Sequence, residues 1–294
     1  MLPAPLIAAH SAIPAERLGL FLASANGFRV SLIDRTNSSN HLRAVQSSVL
    51  FEDFADTLTL MERDENVSAV WQVILNGNAK RLVERIVSFE IEEGAVRRVL
   101  ASEPSSLLDR AFATILRNRV QRGGIMAPGA SLMKQGENGR GVASRWYVET
   151  LSKRILAIAE RRDRIRFIQG DGIQFIRNNA HRSNVAFFID PPYTVAGRRL
   201  YLHSEIDHEE LFEVMTQVKG DFLMTYDNVE PVRKMAAKFN CETQEVPMKN
   251  THLAVGSELL IGHNLIWPRA QIMRPSEYPL FKDLPSDGPA GNQS

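Results

Sequence analysis

Short, continuous apolar runs recur along the chain and constrain its fold more than any other feature. They are rich in β-branched residues or Phe, and helical patterns separate several of them. Continuous apolar runs of this length predict strands that are covered on both faces, as in a mainly parallel α/β sheet. The predicted strands are RVSLI (29–33), TLTLM (57–61), IRFIQ (165–169), VAFFI (185–189), DFLMT (221–225) and ELLIG (258–262).

Helical periodicity fills some of the intervals between these strands. In DHEELFEVMTQV (207–218), Leu211, Met215 and Val218 recur at roughly helical spacing. Strands that alternate with helices predict a doubly wound α/β sheet.

The spacing of the predicted strands is uneven. The interval between TLTLM and IRFIQ, residues 62–164, is far longer than the single helix that a βαβ crossover needs. We therefore predict a catalytic core formed by 57–75 and 160–266, with an inserted and mostly helical region at 76–159. The helical run VSAVWQVILNGNAKRLVERIVSFEI leads into this region, and a glycine-rich loop occupies its middle.

Positive charge is concentrated in one part of the chain. The formal net charge is only +1, yet residues 109–166 contain 13 Lys and Arg against five Asp and Glu. A basic patch of this kind attracts a polyphosphate backbone. The alternative is a solvated helix face, since SKRILAIAERRDR alone supplies five of the positive charges.

Several classes of protein are not expected from the composition. The single cysteine, Cys241, excludes an intramolecular disulfide framework and a cysteine-built zinc site, and we expect no metal. The first 18 residues have no positive charge before Arg17 and are broken by three prolines, so they do not fit a signal peptide and are too short to span a bilayer. We expect a cytoplasmic protein whose tail, 283–294, is disordered.

The predicted strand VAFFI ends in an acid, two prolines and an aromatic residue. Ligands of open α/β sheets bind just beyond the carboxyl ends of the strands, which is the position of Asp190. Pro191 and Pro192 stiffen the loop and remove two amide donors, and Tyr193 offers a flat face. Together these groups can hold an exocyclic amine and stack on its ring. The alternative is an ordinary turn, because Asp and Pro are turn residues.

IDPPY resembles the catalytic motif of amino methyltransferases that use S-adenosylmethionine, and a leading Asp is typical of enzymes acting on adenine N6 in DNA. Further segments are similar to the DNA adenine methylase family, from about Thr57 to Asn264 and in the family's order. The resemblance implies a Rossmann-like methyltransferase fold, with the insertion in the place of a target-recognition domain. The similar segments are RFIQGDGIQFI, LYLHSEIDHEELF, FLMTYDN and MKNTHLAVGSELLIGHN.

The resemblance implies a direct displacement in which adenine N6 attacks the methyl group of a sulfonium. Asp190 and the Pro191 carbonyl accept both N6 hydrogens and so aim the nitrogen lone pair at the methyl group. Tyr193 stacks on the base, which must be flipped out of the duplex because N6 is otherwise paired. The implied catalytic residues are Asp190, Pro191, Pro192 and Tyr193.

For the cofactor, the resemblance implies an acid at the end of the second strand that takes ribose hydroxyls. Glu62 holds this position, although a surface charge in the polar run ERDEN is the alternative. Asp171 matches the family acid near the cofactor adenine. The family follows this acid with Phe, whereas this chain has Gly172, so stacking must come from Ile173 or be absent. The implied cofactor contacts are Glu62, Asp171, Gly172 and Asp190.

The implied partner is double-stranded DNA, bound by a monomer, with a cognate restriction endonuclease as a further expected partner in a restriction–modification system. Trp146 is expected to be a packing residue. Tyr226 and Asp227 fit either a site-facing position or a strand-terminating turn, and Lys249 and His252 fit either a substrate contact or a polar hairpin. The implied DNA contacts are Arg119, Arg122, Lys134, Arg140, Arg145 and Lys249.

The front of the chain departs from the family pattern. The family opens with a Lys, paired glycines and a glycine-rich turn after the first strand, which together hold the methionine part of the cofactor. Here the first lysine is Lys80, and residues 1–56 contain only Gly19 and Gly27. Because glycine allows a backbone to approach a ligand closely, this absence is a physical deficit. Either an altered loop binds the cofactor, or the segment 1–56 is a replaced beginning that leaves a damaged enzyme.

Three functional hypotheses remain besides the leading one, DNA adenine-N6 methylation. Within the same chemistry, the amine could belong to cytosine N4 in DNA or to adenine in RNA, and the leading Asp argues mildly against both. From a different class, the chain could be a catalytically silent relative that binds DNA through its basic insertion.

Overall fold

The computed structural model describes residues 29–34, 55–124, 126, 130–136, 139–192, 206–249 and 255–265. The described part is an α/β structure built on one seven-stranded sheet. Its strands are β1 (Arg29–Asp34), β2 (Thr57–Glu62), β3 (Ile165–Gln169), β4 (Val185–Asp190), β5 (Asp221–Asp227), β6 (Glu242–Lys249) and β7 (Val255–Gly262). Its helices are α1 (Glu65–Val73), α2 (Ala79–Val87), α3 (Glu93–Ala101), α4 (Leu107–Val120), α5 (Val148–Glu160), α6 (Gly172–Asn179), α7 (His208–Met215) and α8 (Glu230–Lys238).

The apolar runs at 29–33, 57–61, 165–169, 185–189, 221–225 and 258–262 all form strands, so these predictions are confirmed. The helix predicted within 207–218 is also present, as α7. The run expected to be one helix across 67–91 is two helices. Asn76 and Gly77 have non-helical backbone angles, and Gly77 has a φ of 84°, a left-handed conformation that favours glycine.

The strands follow the order β3-β2-β1-β4-β5-β7-β6. Two neighbouring pairs, β2 with β3 and β4 with β5, are parallel, and the other four are antiparallel. The sheet is therefore mixed. The prediction of a mainly parallel sheet is wrong, because only two of its six strand pairs are parallel. A run of apolar residues requires cover on both faces but carries no information about strand direction.

Helices cover both faces of the sheet. The alternation of side chains in β4 separates two apolar clusters: Ala186 and Phe188 belong to one, and Phe187 and Ile189 belong to the other. The first cluster contains buried side chains of α1–α5, and the second contains those of α6–α8. The structure is thus a three-layer arrangement with the sheet in the middle.

The segment 76–159 contains α2–α5 and is mostly helical in its described part. Its buried side chains include Leu82, Phe112 and Ile155, which share one cluster with Leu60 of β2 and Phe188 of β4. The segment therefore contributes a layer of the core on the same face of the sheet as α1.

The segments 1–28, 35–54 and 266–294 lie outside the described residues, and with them the predicted disordered tail at 283–294 and most of the atypical segment 1–56. Within the described ranges, no helix has both the length and the apolar character needed to cross a membrane.

Candidate functional site

The carboxyl ends of five strands lie at one edge of the sheet. Because β1 runs antiparallel to both β2 and β4, these two strands point the same way, and β3 and β5 are parallel to them. The strand β6 also points this way, because β7 runs antiparallel to both β5 and β6. The five strands end at Glu62, Gln169, Asp190, Asp227 and Lys249. This edge is where open α/β sheets bind ligands.

A row of polar side chains on this edge faces the α1–α5 layer. In β2, Leu58 and Leu60 belong to the cluster of that layer, so the alternation of side chains directs Glu62 to the same face. The same reasoning directs Gln169 of β3, Asp190 of β4 and Thr225 of β5 to this face. The reference residues in these strands are Ile165, Phe188 and Leu223. We call the residues Glu62, Gln169, Asp190 and Thr225 the edge row.

Glu62 is fixed at the end of β2. Its side chain is 2% exposed, and its Oε1 accepts hydrogen bonds from the backbone N–H groups of Arg63 at 2.9 Å and Asp64 at 3.0 Å. Its burial excludes the alternative of a solvated surface charge. A carboxylate held at a strand end in this way is suited to accept hydrogen bonds from hydroxyl groups of a ligand.

Two charged residues beside Glu62 were not predicted from the sequence. Asp64 is 1% exposed, and its Oδ1 caps α1 by accepting from the N–H groups of Asn66 at 2.7 Å and Val67 at 3.1 Å. The negative charge of Asp64 affects the pKa of Arg117, which lies on α4. Burial lowers the pKa of Arg117, and the negative charge of Asp64 acts in the opposite direction.

Asp171 and Gly172 stand at the start of α6, immediately beyond β3. Asp171 is exposed and caps the helix, since its Oδ1 accepts from the N–H of Gln174 at 2.9 Å. Gly172 is buried at the first helical position. Ile173 is 7% exposed and belongs to the cluster on the α6–α8 face. Because Ile173 packs in the core, it offers little surface for stacking on a ligand.

Asp190 ends β4 and is held by a neighbouring strand. The hydroxyl of Thr225 donates a hydrogen bond to Asp190 Oδ1 at 2.8 Å. Pro191 and Pro192 are buried directly after it, while Tyr193 lies outside the described residues. The acid and the two prolines therefore form a packed corner at the candidate ligand edge.

Tyr226 points away from the edge row. It is 0% exposed and lies in the cluster on the α6–α8 face, with its hydroxyl 2.9 Å from Nδ1 of His208. Burial raises the pKa of Tyr226, and Asp227 adds to the shift, so the hydroxyl stays protonated. Burial lowers the pKa of His208, although Asp227 and Asp207 oppose this effect. Neither alternative describes Tyr226, because it lies within β5 and its ring packs in the core on the face opposite the edge row. Asp227 is the last residue of β5.

The residues predicted to contact DNA differ in their surroundings. Arg122, Lys134 and Arg140 are exposed, whereas Arg119 and Arg145 are half-buried. Arg145 donates to the carbonyl of Asn118 at 2.5 Å, and Arg140 donates to the carbonyl of Ser144 at 3.1 Å. Arg145 therefore also connects its own segment to α4, whereas the contact of Arg140 is local, to a residue four positions along the chain. Lys249 ends β6, and its side chain is outside the described part.

Trp146 packs in the helical layer. Its ring is buried and makes edge-to-face contacts with Phe89 and Phe112 at centroid distances of 6.0 and 6.2 Å. The prediction that Trp146 is a packing residue is confirmed. His252, the other residue considered in the predicted polar hairpin, lies outside the described residues.

No protein-family model matches the chain, and a search of curated proteins finds no significant match.

Proposed function

We propose that this chain transfers a methyl group from S-adenosylmethionine to the N6 amine of an adenine in duplex DNA. The main support is the Asp190–Pro191–Pro192 corner, which ends a buried strand on the same edge and face as Glu62. One strand, β1, separates β2 from β4. Two strand spacings amount to roughly 10 Å, a distance that a nucleoside with an attached side chain can span.

The roles proposed for the chain follow from the chemistry of each group. Glu62 accepts hydrogen bonds from the ribose hydroxyls of the cofactor. When bound, the cofactor supplies an electrophilic methyl group. Asp190 and the Pro191 carbonyl accept hydrogen bonds from the two N–H groups of the amine, and they stabilise the positive charge that develops on nitrogen. As the bond from nitrogen to the methyl carbon forms, the bond from this carbon to sulfur breaks and its electron pair leaves with the sulfur. The methylated nitrogen then releases one proton to solvent. Both acceptor groups are held by a strand end and by buried prolines, so little reorganisation is needed during the reaction.

The basic segment supports DNA as the partner. Residues 109–166, which hold the excess of positive charge, include α4 and α5. These helices pack on the face of the sheet toward which Glu62 and Asp190 point. A duplex attracted to this layer would therefore approach the side of the sheet that carries the proposed catalytic groups.

A methyl-transfer assay tests this function. The full chain is incubated with isotopically labelled S-adenosylmethionine and unmethylated duplex DNA, and the digested nucleosides are analysed by mass spectrometry. We expect labelled N6-methyladenine. Labelled N4-methylcytosine, or label found only when RNA replaces DNA, would support one of the other two methyltransferase hypotheses. The absence of any labelled nucleoside would reject methyl transfer altogether.

The direction of β1 favours a second function, that of a silent DNA-binding relative. In nucleotide-binding sheets the loop after the central strand approaches the ligand. Here β1 ends at Asp34 on the opposite edge, where Asp34 contacts Arg182 and accepts a hydrogen bond from Thr57 at 3.2 Å. Calorimetric titration with S-adenosylmethionine separates the two functions. A silent relative would give no heat of binding and would still bind duplex DNA.

Exposed basic residues should dominate binding to duplex DNA. We expect the double variant Arg122→Ala/Lys134→Ala to bind duplex DNA about tenfold more weakly. The negative slope of log K against log salt concentration should become shallower by about 1.8, because two phosphate contacts are lost. Fluorescence anisotropy at several salt concentrations measures both quantities. The control, Arg97→Ala/Arg98→Ala, removes the same charge from α3, where both side chains are exposed and pair with Glu93 and Glu92. Equal loss in both variants would contradict a localised contact.

A further inference from the structure

Thr225 is an edge-row residue that has no role in the function proposed above and that contacts Asp190 directly. It lies on β5, parallel to β4, and the register pairs Ile189 with Met224 immediately before Asp190 and Thr225. The two side chains therefore point to the same face of adjacent strands. This geometry brings the hydroxyl of Thr225 within 2.8 Å of Asp190 Oδ1.

The chemistry of this contact is directional. A threonine hydroxyl has one proton, and here that proton is donated to the carboxylate. Thr225 is β-branched and half-buried on a paired strand, so its χ1 is restricted and its hydroxyl is held in place. A fixed donor on one carboxylate oxygen restricts rotation of the carboxylate plane. Since that oxygen has two lone pairs, it can accept from Thr225 and from a ligand at the same time.

The two prolines that follow Asp190 cannot provide this restraint. Pro191 and Pro192 fix the backbone after the acid and have no N–H to donate. They determine where the Cα of Asp190 lies and leave the rotation of its side chain to other contacts. The hydroxyl of Thr225 acts on that rotation.

We propose that Thr225 is a positioning residue, which fixes the carboxylate plane of Asp190 so that the acid is oriented toward the amine of its substrate. The proposal rests on the methyl-transfer function above for its catalytic consequence. Its structural content, the orientation of the Asp190 carboxylate, can be measured separately.

Two matched variants test this role. Thr225→Val removes the hydroxyl and keeps the branched shape, whereas Thr225→Ser keeps the hydroxyl. We expect Thr225→Val to lower kcat roughly 10- to 100-fold, the scale expected when a reacting group loses its alignment. KM for DNA and for S-adenosylmethionine should stay within about twofold, because neither ligand loses a direct contact. Thr225→Ser should restore most of kcat.

The outcomes separate positioning from folding and from the proposed function. Thermal unfolding of both variants shows whether either loses structure, and a stable Thr225→Val protein with unchanged kcat would overturn the proposal. If the unmodified chain transfers no methyl group, the proposed function fails, and crystal structures of the two variants decide the role of Thr225. A carboxylate that turns in Thr225→Val and stays in place in Thr225→Ser would support positioning. An unmoved carboxylate in both would overturn it.

Discussion

Replacing Asp190 with alanine is expected to abolish methyl transfer while duplex binding stays within about twofold of the unmodified chain. The carboxylate is proposed to act on the amine in the transition state, so its loss removes alignment and charge stabilisation together. Removing one such electrostatic group typically costs 10²–10³ in kcat, and we expect a loss of roughly 10³ or more here because the aligning contact is lost as well. Single-turnover transfer of labelled methyl groups measures the effect.

Asp190→Asn is the informative companion variant. Asparagine keeps the shape and one acceptor oxygen but loses the negative charge, so it can still accept from Thr225 while stabilising positive charge less well. We expect an intermediate loss of kcat, about 10- to 100-fold, between the unmodified chain and Asp190→Ala. Full activity of Asp190→Ala would refute the proposed mechanism. Equal losses of activity and DNA binding would instead show that the variant has lost its fold.

The positions of six of the seven strands could be predicted from the sequence, but the reversed directions of β1 and β7 could not. In β1, residues 30–33 are buried on both faces, and their apolar character does not determine the direction of the strand. Its orientation depends on where the flanking chain enters and leaves the sheet. The local residue pattern therefore does not indicate that β1 runs in the reverse direction.

The strand β6 was not predicted, and its sequence explains why. ETQEVPMK lacks a continuous apolar run and contains charged residues and a proline. These are typical of an edge strand, where one side of the backbone is unpaired and charge prevents association. Since β6 is the last strand in the sheet order, its composition fits its position.

The site residues that come directly after an apolar run could be predicted from the sequence. A site residue that lies within such a run could not. Glu62 and Asp190 come at the ends of apolar runs, and both are at the expected edge. Thr225 is the last residue of the run DFLMT, and a β-branched residue there indicates only a strand. Its contact with Asp190 spans 35 residues of sequence. The electrostatic effect of Asp64 on Arg117 likewise depends on the packing of α4 beside α1, which sequence spacing does not reveal.

Tyr226 offers a second large effect, this time on stability. Its ring is fully buried and lies 5.6 Å, between centroids, from both Phe212 and His208. We expect Tyr226→Ala to lower the free energy of unfolding by about 3–5 kcal/mol, since a large cavity replaces the ring. Tyr226→Phe keeps the ring and loses one hydrogen bond, at a cost of about 1 kcal/mol. Urea unfolding followed by circular dichroism measures both changes.

Val87→Ala provides the control, because Val87 is 60% exposed and its truncation should change stability by less than about 0.5 kcal/mol. Similar midpoints of urea unfolding for Tyr226→Ala and Val87→Ala would contradict the burial of the ring.

The hydroxyls of Thr225 and Tyr226 are expected to have different effects, one on activity and the other on stability. Adjacent residues of a strand point to opposite faces, so Thr225 and Tyr226 place their hydroxyls on different sides of β5. Removal of the Thr225 hydroxyl should lower kcat at nearly constant stability, whereas removal of the Tyr226 hydroxyl should lower stability at nearly constant kcat.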